Sequence, residues 1–310
     1  MKTNILVILF SIWRLSTAEW KGIVATGGWC FYNQIYDPSR PDVARVTSSF
    51  GLKPVYAPTV SKVANKHYVI GGWSYVWPQQ FQSAVQIFDP ATNRTSSGQS
   101  MAIARVVHSA AVIGEKVYVC GGMNGWGSSY HQSSCVVYSP ADNAWSTIAS
   151  MPTTRVDHVA GTIDDKMYVA AGVADGAYTK RLDIYDSGAD KWTSGAEMND
   201  YRDVPGAVVY DDQLLVCGGY DGVNGKMQDS CEMYDAAADT WKTMGPMRVV
   251  RYGFPMVVFD GDVFILGGMG EQQPKWLDSV EKYNVGSSSS ELIDAKLAAV
   301  CTGFGAIVVE

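Results

Sequence analysis

Glycine doublets, each closing a short β-rich run, recur at a nearly constant interval along this chain: Gly27-Gly28, Gly71-Gly72, Gly121-Gly122, Gly218-Gly219 and Gly267-Gly268, with Ala171-Gly172 in the remaining slot. The first positions lie 44, 50, 50, 47 and 49 residues apart, which makes six repeats of about fifty residues. Val117-Tyr-Val-Cys-Gly-Gly122 is the clearest copy. A repeat this short cannot bury both faces of its own strands, so each copy must be covered by its neighbours and the series must close on itself.

The rest of the composition fits short strands. Aromatic residues make up 12% of the chain and there are 31 glycines, with no long stretch of helical periodicity, so the expected class is all-β. A net charge of −7 argues against a general nucleic-acid or anionic-membrane surface and confines any anion site to a local pocket. Residues 1–18 stand apart: Lys2, an apolar stretch from Ile5 to Trp13, and the small residues Ser16-Thr17-Ala18 have the pattern of a secretory signal peptide. Residues 19–310 are then one domain made of the repeats. No later apolar run reaches the length of a membrane span.

Each repeat has the same internal order: a first strand (Ser109 to Ile113 in the clearest copy), a two-residue turn, a second strand ending in the doublet, a variable loop, a third strand ending in an aromatic residue, a turn and a fourth strand. The aromatics are Tyr36, Phe88, Tyr138, Tyr185, Tyr234 and Tyr283, with a tryptophan seven residues on at Trp145, Trp192 and Trp241. A Met-x-x-x-Arg element follows at Met101/Arg105, Met151/Arg155, Met198/Arg202 and Met247/Arg251. This combination resembles the kelch motif over essentially all of residues 19–310. The resemblance implies a six-bladed β-propeller with four-stranded antiparallel blades. Val43, Thr95 and Ser290 take the tryptophan slot in repeats one, two and six, and the Met/Arg pair is missing before repeats one and two. The chain opens on a doublet strand, Ile23 to Thr26, without a first strand. Gly303-Phe-Gly-Ala-Ile-Val-Val309 resembles the first strands, so the C-terminal strand is expected to complete blade 1.

Six cysteines in a chain with a signal peptide invite disulfides, and the repeats select the pairing. Cys120 and Cys135 occupy the same two slots as Cys217 and Cys231, while the other three repeats compared have neither: Ile70 and Val85, Ala170 and Leu182, Leu266 and Val280. Joint presence and joint absence on adjacent strands predicts Cys120–Cys135 and Cys217–Cys231 bridges. Cys30 and Cys301 remain, and pairing across the closing seam would bring them together. Asn93-Arg-Thr95 is a glycosylation sequon in a turn.

Strand direction places the doublet loops and the Met-x-x-x-Arg loops on one face. The aromatic residues Trp73, Tyr75, Trp77, Trp126, Tyr130, Tyr178, Tyr220 and Trp276 lie in those loops as candidate ligand contacts. Arg105, Arg155, Arg202 and Arg251 open successive inner strands and are expected to ring the channel mouth; in the kelch-like ubiquitin-ligase receptors, arginines at the matching position line the substrate pocket, and the resemblance implies the same here. A structural alternative pairs them with Asp157 or Asp203. His108 and His158 follow their arginines by three residues and would face the channel one layer below. The four histidines make no constellation for zinc or copper, the doublets precede no helix that could cradle a nucleotide, and no cofactor is expected. The leading functional reading is a secreted binding module for a protein or an anionic ligand, an acidic peptide or acidic glycan, at the arginine- and aromatic-lined channel mouth. The first alternative is a secreted sugar-active enzyme like the sialic-acid mutarotases. The second is an intracellular substrate receptor or actin-binding kelch protein, against which the leader and the lack of a BTB-like region count.

Overall fold

The computed structural model describes residues 22–27, 33–36, 45–47, 52–53, 55–74, 80–92, 94–271, 275–297 and 303–309. The expected signal peptide, the sequon at Asn93, the pair Cys30 and Cys301, and the loop aromatics Tyr75 and Trp77 lie outside the described residues.

Six four-stranded antiparallel sheets follow one another along the chain. Blade 3 shows the pattern: Ser109–Ile113, Lys116–Cys120, Cys135–Ser139 and Ala144–Ile148 pair in that order. The second strands are apolar and almost continuously buried, as in Lys166–Ala170, Gln213–Cys217 and Asp262–Leu266, because neighbouring blades cover both of their faces. Fourth strands such as Arg94–Gly98 and Lys191–Ser194 are short and polar, which keeps the outer sheet edges from templating further pairing. Blade 1 is made from both ends of the chain: Gly22–Gly27 pairs antiparallel with Phe304–Val309 over six residues, as expected from the sequence. The inner strands then touch in an unbroken circle, each against the next and Phe304–Val309 against Thr59–Val63.

Three levels of hydrogen bonds staple blade to blade. At the outer rim, the Tyr138, Tyr185 and Tyr234 hydroxyls donate to Asn143, Asp190 and Asp239 at 2.6–2.7 Å. These same side-chain oxygens accept the backbone N–H of Gln99, Ala149 and Ala196 in the preceding blade, whose carbonyls accept the indole N–H of Trp145, Trp192 and Trp241. The regular tyrosine and tryptophan spacing is therefore an inter-blade latch. In blade 6, where serine replaces tryptophan, Ser288 Oγ accepts the Gly245 N–H and the Tyr283 hydroxyl donates to the Gly245 carbonyl.

At the second level, the N–H groups of Gly72, Gly122, Gly172 and Gly219 donate to the carbonyls of Arg105, Arg155, Arg202 and Arg251 in the next blade, at 2.7–2.8 Å. The doublet adopts left-handed backbone to do this, and a Cβ on Gly172 would stand 2.3 Å from the Val156 carbonyl oxygen. Ala171, fully buried at φ 66°, takes the left-handed conformation that glycine holds in the other described doublets, at a cost of about 1–2 kcal/mol. Ala171→Gly is therefore expected to stabilise the protein by about 1 kcal/mol in urea unfolding, offset in part by the freer unfolded chain. A loss of stability would show that the Ala171 methyl packs too well to give up.

The third level surrounds the channel. Ala57, Val107, Asp157, Val204, Gly253 and Gly303 sit at one position in the six blades, all with φ between 46° and 65°. This conformation turns their peptide groups along the circumference. The N–H of Gly303 donates to Gly253, Gly253 to Val204, Val204 to Asp157, Asp157 to Val107, and Ala57 to Gly303 across the seam, at 2.7–3.1 Å. Valine is strained in this region, so the hoop holds two of its members against their preference.

Two cysteine pairs are bridged within blades. Cys120–Cys135 and Cys217–Cys231 join directly opposed residues on the second and third strands, as the repeat comparison predicts. The unbridged slots Ile70 and Val85, Ala170 and Leu182, and Leu266 and Val280 are opposed in the same register.

Candidate functional site

The doublet loops and arginine loops share one face, but the arginines do not open onto it. Arg105, Arg155, Arg202 and Arg251 are 0–1% exposed. Three of the guanidinium groups bond the doublet of their own blade, while Arg155 Nη1 donates to the Val169 and Arg181 carbonyls at 3.3 Å. Arg105 Nη1 donates to the carbonyls of Gly121 and Ser134 and Nη2 to Ser134 Oγ, all at 2.7–2.8 Å. Arg202 makes the equivalent bonds to Gly218 and Ser230, and Arg251 donates to Gly267 and Ser279. Left-handed glycines take these carbonyls out of the sheet ladder, and a long five-donor side chain satisfies them.

This corrects the expectation of a cationic ring at the channel mouth. It also corrects the alternative pairing with Asp157 or Asp203, because the acids that compensate the arginines stand two residues before the third-strand tyrosine. Asp183 meets Arg155 at 2.6 Å, Glu232 meets Arg202 at 3.1 Å, and Glu281 pairs with Arg251, all six side chains 0–2% exposed. Arg105 has Ser134 instead. Burial lowers Arg105 and Arg155 to about 10, so both stay cationic at neutral pH, and burial lowers Arg202 and Arg251 while their acid partners oppose the shift. The recurrence of an acid at 183, 232 and 281 was the sequence signal for these partners.

Below the mouth lies a central cavity of about 250 Å3. His108 and His158 line it with Thr59, Ser109 and Asp157, so both histidines face the channel. Each ring also packs on the preceding blade's doublet, at Gly71 and Gly121. Thr59 Oγ1 lies 3.2 Å from His108 Nε2. Burial, then the charge of Arg105, hold His108 at about 3; burial, Arg155 and His108 hold His158 well below the ordinary histidine range. Both imidazoles are therefore neutral. Asp157 behaves oppositely: burial first, then the neighbouring Asp203, push it up to about 8, and burial raises Asp203 to about 6. The two protons belong to the pair.

The rim carries the described aromatic residues. Trp126 is 63% exposed and meets Trp73 edge-on at 5.5 Å and Phe81 at 5.3 Å, so blades 2 and 3 share one aromatic patch. Tyr130 is exposed beside it, its ring over Gly125. Tyr178 leans across to blade 5, where its ring rests against Gly222, and Tyr220 is half-buried nearby. Trp276 lies on blade 6, bridged to Met269.

The family model described as the KLHDC2/KLHL20/DRC7 Kelch-repeats domain matches residues 57–268, and a Kelch motif model matches residues 251–290. The chain belongs to the kelch-repeat family. Among solved structures, this kelch propeller is similar to the one titled "Structure of YjhT", with a TM-score of 0.72, 16% identity, and coverage of 90% of this chain and 98% of that one. That likeness is one of fold. No curated protein matches the kelch chain in sequence.

Proposed function

We propose that this protein is a secreted kelch propeller that binds another protein through its doublet-loop face. The observation that carries the reading is the set of rings presented there, Trp126, Tyr130, Tyr178 and Trp276, each 37–63% exposed on a rigid hydrogen-bonded frame. Kelch membership supports an interaction role. Two buried disulfides suit an oxidising compartment, and no described helix is long and apolar enough to cross a membrane. The anionic preference lacks a basis in the arginines, whose guanidinium groups are internal. Trp126→Ala and Tyr178→Ala are expected to weaken a captured partner by roughly 2 kcal/mol each, about thirtyfold, without lowering the melting temperature. Retention of the partner by the double variant at wild-type affinity would exclude this face.

A second reading, a sugar-active enzyme, is favoured by the cavity itself. Asp157, its acid favoured by burial, and two neutral imidazoles place an acid and candidate bases on the wall of one cavity.

A further inference from the structure

Three of the four arginines under this face carry their own counter-charges, Arg105 being held by the Gly121 and Ser134 oxygens instead, whereas the acids at its centre have none. Asp157 and Asp203 come from adjacent blades, and no ion pair to either exists among the described residues. Asp203 Oδ1 is buried without a hydrogen-bond partner. His158, only 6% exposed, lines the same cavity as Asp157, and neither ring nitrogen makes a well-formed hydrogen bond, the Cys120 carbonyl being the polar group it faces. Tyr178, Tyr220 and Tyr252 complete the surroundings: Tyr178 lies within electrostatic reach of both aspartates and of Tyr220, and Tyr252 within reach of Asp203.

We propose that the channel mouth between blades 4 and 5 receives a cationic group, the ammonium or guanidinium of a lysine or arginine side chain presented by a protein partner. Asp157 and Asp203 supply the counter-charge, His158 supplies an acceptor nitrogen, and the tyrosines form an aromatic collar that favours a cation over an anion. The cavity of about 250 Å3 on whose wall Asp157 and His158 stand has room for a guanidinium, with Asp203 and the tyrosines outside that wall. The proposal rests on the interaction reading of this face and names the chemistry of the group bound at its centre.

Proton linkage gives it a signature. The free pair is partly protonated at neutral pH because burial and mutual repulsion favour the neutral acid. The groups around it do not titrate in the same interval: His108 and His158 are already neutral, Arg155 is held cationic by Asp183, and Tyr178 and Tyr252 are raised. A bound cation favours the ionised pair, so binding releases a proton and tightens as pH rises.

The test uses the full secreted chain with an oligo-arginine peptide and an oligo-glutamate peptide as probes, by calorimetry in buffers of different ionisation heat. Oligo-arginine is expected to bind with proton release, its affinity rising about tenfold between pH 6 and pH 8. Asp157→Asn should lower that affinity about tenfold or more and remove most of the proton release, and Asp203→Asn should lower the affinity to a similar extent, while the exposed-charge control Glu197→Gln leaves affinity and proton release unchanged. Neither aspartate variant should melt below the wild type at pH 8, since each removes an acid whose ionisation the fold opposes. Equal loss in Glu197→Gln, or binding without proton release, would reduce the effect to general attraction by an acidic protein and overturn the proposal. Preference for oligo-glutamate, or no binding of oligo-arginine, would overturn it too. Partner capture that still depends on Trp126 would then leave the interaction face standing without its cation site.

Discussion

Arg251→Ala is expected to lower the stability of this propeller by about 3–5 kcal/mol, the range for stranding one half of a buried ion pair. For a chain of this size that corresponds to a fall in melting temperature of roughly 5–8 °C. The change leaves Glu281 fully buried with only the backbone N–H groups of Arg248 and Val249 to hold it, and it strips the Gly267 carbonyl of its donor. Arg155→Ala should cost less. Its partner Asp183 also accepts from Arg181 at 2.8 Å, and Arg181 reaches solvent and remains after the substitution. The ranking separates two roles. A binding arginine would lose ligand and keep its stability, whereas these should lose stability first. Chemical denaturation that finds Arg251→Ala within 1 kcal/mol of wild type, with partner binding abolished, would return the arginines to the ligand.

Removing the Cys217–Cys231 bridge is expected to cost about 3 kcal/mol, the chain-entropy figure for a loop of about fifteen residues. Both sulfurs are fully buried, among Leu215, Met233, Met247 and Phe254. An alanine pair would therefore add a cavity to the lost cross-link. The protein suggests the cleaner replacement: blade 6 places Leu266 opposite Val280 at the same slots, both fully buried. Cys217→Leu with Cys231→Val should lose the cross-link term alone, and Cys217→Ala with Cys231→Ala should lose about 2 kcal/mol more. Equal melting temperatures for wild type and the Leu/Val variant under oxidising conditions would mean that the bridge contributes no stability. Reduction of the native bridge should proceed at the rate of blade opening, since no reductant reaches a sulfur in the closed core.

Local order along the chain and contacts between distant residues decided different features of this propeller. Blade number, strand order and both within-blade bridges were legible in the chain because each depends on short-range order, and closure by residues 303–309 was legible because that segment repeats the pattern of the other first strands. The doublet-to-doublet interval counts blades, the alternation of strand and turn sets the register, and register alone brings Cys120 opposite Cys135. The arginines were misread because a strand position states where a side chain starts and not where it ends. Nothing local to Arg105 or Arg251 distinguishes a guanidinium at the channel mouth from one folded under the doublet loop. That choice is made by carbonyls 16 residues away at Gly121 and Gly267, and for Arg251 by an acid 30 residues away on another strand. Buried backbone acceptors without ladder partners outweigh an exposed ligand position, because leaving them unsatisfied costs free energy that solvent contact cannot return. Once those contacts assign Asp183, Glu232 and Glu281 to the arginines, Asp157 and Asp203 are left together at the axis. Only packing six blades around one channel could make neighbours of two aspartates 46 residues apart.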